Sequence, residues 1–194
     1  MSLPDTFLRI YLFVGLAAHK IVWEVLKRRQ GQPAAEKQTN RSVSVRFLKA
    51  AKIAVTLGLF AQIFVPDVLP IMSDPFILHI VGAILFTLGL LTAVVARMQL
   101  GRSWSDIEVG QVGQDHQLVK NGLYRYVRHP IYTGDLGMLL GVELCLNSWL
   151  VVAVAGIAMP TIYQTLREER RLVKTVAGYD AYCEQTKRFI PFII

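Results

Sequence analysis

The chain has 194 residues, enough for one domain, of which 53% are hydrophobic and only 18% charged, with a mean hydropathy of +0.41. An ordinary water-soluble domain carries roughly 25% charge, so this balance points to lipid. The net charge of +7 does not signal nucleic acid. Lys and Arg cluster in short segments between apolar runs, as the positive-inside rule expects, and no RNA- or DNA-binding module is present.

Residues 7–26 form the first apolar run, about one bilayer thickness of helix, ended by Trp23 and then Lys27, Arg28 and Arg29. No small-residue cleavage site follows, so it reads as a retained membrane helix. His19 and Lys20 interrupt it; the plain reading is that Lys20 snorkels and His19 packs against another helix. Residues 28–47 are polar and basic, a cytoplasmic loop. A second helix over 48–65 ends at Pro66. The following connection lacks Lys and Arg and is expected outside. A third helix spans 76–96, closed by Arg97 and Arg102.

Residues 98–128 are polar, with Lys120, Arg125 and Arg128 on the basic side. Two apolar arms, 130–146 and 149–166, are separated only by Asn147 and Ser148, and Arg167, Arg170, Arg171 and Lys174 return the chain to the cytoplasm. The expectation is therefore a single all-α, polytopic membrane domain of about five transmembrane helices, the last two a tight hairpin. Three helices lie within 1–97 and a cofactor-binding region within 98–194, with the N-terminus outside and the C-terminus cytoplasmic. Cys145 and Cys183 are too far apart for a CxxC site and have no histidine partner. No metal-ligand cluster and no obligate protein partner is evident.

The polar chemistry lies in two segments, HQLVKNGLYRYVRHPIYTG from His116 and EERRLVKTVAGYDAYCEQTKRFIP from Glu168. Pro130 suits the first position of a helix, and His129 before it is pushed out of helical conformation to become the cap. The amides of Ile131, Tyr132 and Thr133 are then expected to be unpaired, favouring an anion. On the residues alone, this is either an anion site or only a helix start at the membrane surface. Glu168 and Glu169, flanked by basic residues, read by default as a salt-bridged turn. Tyr179 and Tyr182 share a helix face. Asp135 and Glu143 lie inside the fourth helix and are candidates by position, Glu143 more for structural pairing or interfacial exposure. The terminal Phe-Ile-Pro reads as a tail dipping into the interface.

The order RHPxYxG, EExxL, YxxY and terminal F-I-P, over about residues 104–194, resembles the isoprenylcysteine carboxyl methyltransferases and, more loosely, the phospholipid N-methyltransferases. The resemblance implies S-adenosylmethionine held without a Rossmann fingerprint by His116, Gln117, Leu118, Val119, Tyr124, His129, Pro130, Ile131, Tyr132 and Glu168. It implies a lipidated, prenylcysteine-like acceptor reached through the bilayer. One departure stands: the family's arginine one turn before the EExxL glutamate aligns with Gln164, leaving Arg167 as substitute and Arg171 next. A carboxylate acceptor needs no base; an amine acceptor would need one, with His129 or Glu169 as candidates. The rivals are an NADPH-binding reductase of the sterol-reductase type and a non-catalytic transporter or scaffold.

Overall fold

The computed structural model describes residues 3–29, 43–66, 68–101 and 118–191. Six α-helices occur among them: α1 (Leu3–Arg29), α2 (Val43–Phe64), α3 (Phe76–Leu100), α4 (Pro130–Cys145), α5 (Val151–Thr175) and α6 (Tyr179–Gln185). A 3-10 turn, Gly122–Arg125, precedes α4. No strand is present among the described residues; two isolated bridges join Pro70 to Ser148 and Val127 to Lys187.

The helices start and stop where chain chemistry dictates. α1 carries Asp5 in its first turn and Lys27, Arg28 and Arg29 in its last, each charge opposing the nearer end of the helix dipole. α3 follows Pro75 and ends at Gly101, whose φ of 53° suits a residue without Cβ. α5 joins the apolar arm over 149–166 and the exit segment beyond it in one helix. Pro160 inside it cannot donate to the carbonyl one turn back.

α1 (from Asp5) and α3 are long and apolar enough to cross a membrane, but only 17% and 22% of their apolar stretches are buried. A core helix in a water-soluble protein would hide most of its apolar residues. Here Phe7, Ile10, Val14, Phe76, Ile77, Ile84 and Leu88 face outward, which requires an apolar surrounding. The apolar stretch of α2, Ile53–Phe64, is shorter. The 16 residues of α4 make about 24 Å of helix, less than the hydrocarbon core of about 30 Å. Among the described residues, α1 and α3 are thus the two helices with both the length and the composition to cross a membrane.

α3 and α4 form the closest helix pair, because both present glycine. A Cβ on Gly89 would stand 2.3 Å from the Met138 amide nitrogen, and one on Gly141 2.3 Å from that of Phe86. Backbones this close are the small-residue packing of membrane helices. Around the seam, Leu12, Leu16, Ile63, Phe86, Met138, Val142, Cys145 and Leu146 make the main core. α1 and α2 are pinned at one end by Arg9, which donates to the carbonyls of Ile63 (2.6 Å) and Val65 (3.2 Å) at the close of α2.

Several polar residues inside this bundle pair with one another or with backbone. Gln62 donates to Glu143 at 2.9 Å, so Glu143, 3% exposed, is a structural partner and does not reach an interface. His19 lies 3.1 Å from Asp135 and packs its ring, tilted, 4.3 Å from that of Trp23, while Lys20 is exposed. At the α4 to α5 turn, Asn147 accepts from the amides of Ile71 and Met72 and donates to the Met72 carbonyl at 2.7 Å. The turn is thereby fixed to the segment preceding α3.

Candidate functional site

The opposite end of α4 gathers the unusual residues. Pro130 is the first helical residue, and His129 is its cap, in non-helical conformation. One expectation needs correction: the Thr133 amide is not unpaired, since it donates to the His129 carbonyl at 3.2 Å as the first helical bond. That leaves Ile131 and Tyr132 as the amides without an intrahelical acceptor.

Glu169 stands at the centre of an ionic cluster. One of its oxygens accepts from Arg128 Nε at 2.8 Å and His129 Nε2 at 3.1 Å; the other accepts from Arg188 Nε at 3.0 Å and Nη2 at 2.8 Å. Burial alone would raise its pKa, but the bonds from His129, Arg188 and Arg128 outweigh burial and hold it below the usual carboxylate range. An ionised carboxylate only accepts, so His129 Nε2 carries the hydrogen in this contact.

Its neighbour Glu168 behaves oppositely. It accepts from the Tyr132 hydroxyl at 3.3 Å. Burial, reinforced by the Glu169 charge, raises its pKa, against the opposing pull of His129, the Tyr132 bond and Arg171. Consecutive residues on a helix point about 100° apart, which is how one carboxylate joins the cation cluster and the other faces Tyr132.

The C-terminal segment closes the cluster. Arg128 Nη1 donates to the carbonyls of Cys183 (2.9 Å) and Thr186. The backbone amides of Arg128 and His129 donate to the carbonyls of Lys187 (2.8 Å) and Arg188 (3.1 Å), and Thr133 Oγ1 donates to that of Phe189 at 2.9 Å. Below it, Leu172, Tyr179 and Tyr182 form a second small core against Leu118, Val176 and Cys183. The Tyr182 hydroxyl donates to the Tyr124 carbonyl at 2.6 Å. Burial pushes Tyr182 up to about 12, and Tyr124 higher still.

Of the residues singled out in sequence, the fold brings together Tyr124, His129, Pro130, Ile131, Tyr132, Glu168 and Glu169 around the start of α4; Leu118 packs in the second small core, and Val119 beside it is half-buried. His116, Gln117 and the tail 192–194 lie outside the described residues. Gln164 is half-buried one turn before Glu168, on the same side of α5. Arg167 is exposed, its guanidinium 5.9 Å from the Tyr163 ring centroid. Sequence reasoning missed Arg128 and Arg188 as partners of Glu169. Arg128 sits inside the RHP motif, but Arg188 meets it only through the fold, and no local spacing marks that pairing.

Among the described residues, an all-helical fold with outward apolar faces, and a proline-started helix beside paired glutamates, defines a class of membrane-associated helical proteins. Residues 77–177 match the model of the phospholipid methyltransferase family, and the chain belongs to that family. It is 30% identical over 101 residues to the protein-S-isoprenylcysteine O-methyltransferase of Schizosaccharomyces pombe, covering 50% of this chain and 43% of that protein. It is also 30% identical over 113 residues to the cobalt-zinc-cadmium resistance protein CzcN of Cupriavidus metallidurans, covering 57% and 51%. The chain spans about half the length of the curated relatives it matches. The solved eukaryotic intramembrane Ras methyltransferase ICMT shares its fold, with a TM-score of 0.59, 19% identity, and coverage of 96% of this chain and 68% of that one.

Proposed function

We propose that the chain is an S-adenosylmethionine-dependent methyltransferase of the membrane surface, acting on the carboxylate of a lipidated, prenylcysteine-like acceptor. The observation that carries the reading is the junction of the α4 start with the Tyr132 to Glu168 contact, inside the segment matched by the methyltransferase family. The residues suit the cofactor chemically: the amides of Ile131 and Tyr132 favour a carboxylate, and Glu168 accepts hydrogen bonds from hydroxyl or ammonium groups. His116, Gln117, Leu118, Val119, Tyr124, His129, Pro130, Ile131, Tyr132 and Glu168 would hold it. Bound there, S-adenosylmethionine supplies an electrophilic methyl on a sulfonium.

The protein's share of the work is then binding, orientation and exclusion of water. A carboxylate acceptor has a pKa of roughly 3.5 and arrives ionised, so no base is required. The lipid part of the acceptor enters from the bilayer, and the polar donor from the cytoplasm. This reading has five helices crossing the membrane, the hairpin 130–166 among them, and the C-terminus cytoplasmic.

A second reading, an amine acceptor such as a phospholipid, is favoured by Gln164 at the family's arginine position and by the outward-facing Arg167. For that chemistry Glu169 is a poor base, because three donors hold it ionised.

Two measurements test the proposal. Titration of the purified protein should show binding of S-adenosylmethionine and not NADPH, weakened by His129→Ala. Labelled methyl transfer to a farnesylated cysteine and to phosphatidylethanolamine, run in parallel, should give base-labile label on the first. Base-stable label confined to the amine lipid would replace the carboxylate reading with the amine one, and NADPH binding alone would overturn the methyltransferase reading.

A further inference from the structure

We propose that Arg188 is a positioning residue for the cofactor site: it orients the Glu169 carboxylate, which in turn orients the His129 ring. The C-terminal segment is thereby part of the binding machinery. The inference rests on the reading of His129 as a cofactor contact.

Arg188 acts on His129 from two sides. Its backbone carbonyl accepts the His129 amide at 3.1 Å, which sets the backbone just before α4. Its guanidinium places two nitrogens on one oxygen of Glu169, at 2.8 and 3.0 Å. A carboxylate gripped this way cannot rotate freely, so its other oxygen stays aimed at His129 Nε2, 3.1 Å away. With that hydrogen bond fixed, the ring plane is fixed, and the opposite edge of the imidazole keeps one orientation. The adjoining Phe189 ring, 6.0 Å from the imidazole centroid, limits the remaining space.

Orientation is separable from stability here because the two arginines differ in exposure. The side chains of Arg128 and Glu169 are 8% and 9% exposed, that of Arg188 32%. Removing Arg188 leaves the buried ion pair between Arg128 and Glu169 in place. No buried charge is stranded, and what is lost is the second grip on the carboxylate.

The test uses full-length protein in lipid nanodiscs, with S-adenosylhomocysteine binding measured by calorimetry. Arg188→Met should weaken binding about tenfold, the low end for loss of a group behind a binding residue, and Arg188→Lys should recover part of it. If Arg188 acts through His129, the double variant with His129→Ala binds no worse than His129→Ala alone. Losses that multiply in the double variant, or an Arg188→Met that binds as wild type does, overturn the proposal. Should Arg188→Met fail to fold, Arg188→Lys carries the same cycle with a smaller loss. A wild type that does not bind S-adenosylhomocysteine removes the cofactor reading itself, and this proposal with it.

Discussion

Glu168 and Glu169 show how one helical step separates two carboxylates chemically. Glu169 has a folded pKa below its ordinary value of 4.5. Its contribution to stability is therefore complete above that value and is lost as pH falls from there toward the depressed one. Glu169→Leu strands Arg128 and should cost about 3 to 5 kcal/mol, read by denaturation at neutral pH; a loss below about 1 kcal/mol, as for an exposed pair, would contradict the buried cluster. Glu168 is raised above 4.5, so binding that uses its ionised form is complete above the raised value and declines as pH drops through it. Cofactor affinity should show a step at higher pH than an ordinary carboxylate gives. Glu168→Gln should remove the step and cost roughly 1.5 to 3 kcal/mol of binding. An unchanged pH profile in that variant would take Glu168 out of the site.

Helices α3 and α4 set the position of the site through glycine. Added methyl groups at Gly89 or Gly141 meet backbone, not flexible side chain, so the helices themselves must part. Gly141→Ala should destabilise by about 1 to 3 kcal/mol, as overpacking does, and weaken cofactor binding too, because α4 carries Pro130 and Tyr132. Gly156→Ala is the control: nothing lies within 4 Å of its added carbon, and an alanine there should stabilise α5 by about 0.5 to 1 kcal/mol. Equal effects at both positions would refute the close α3 to α4 contact. The existence of these helices was legible from their apolar runs. Their seam was not read, although Gly137 and Gly141, like Gly89 and Ala93, have the four-residue spacing that permits close approach. Spacing of this kind marks a face without naming the helix that will cover it.

At the scale of the whole molecule, the proposed topology puts the loop before α3 and the start of α6 on opposite sides of the bilayer. Single cysteines at Ser73 and Asp180, both exposed, in a Cys145→Ala, Cys183→Ser background of sealed vesicles should react with an impermeant maleimide from opposite sides. Reaction of both from one side would overturn the crossing. Part of this molecule follows from the sequence alone. Apolar runs require helices with outward apolar faces, Pro130 compels a helix start with His129 as its cap, and the ordered motifs carry the family. These are local or compositional consequences, decided by backbone geometry and transfer free energy within a few residues. The tertiary structure alone decided that Glu169 is clasped by Arg128, His129 and Arg188, that His19 meets Asp135, that Gln62 satisfies Glu143, and that Arg167 faces outward. Each depends on which helix faces lie together, and segments 19 to 116 residues apart in the chain carry no periodic signal of a partner that only packing selects.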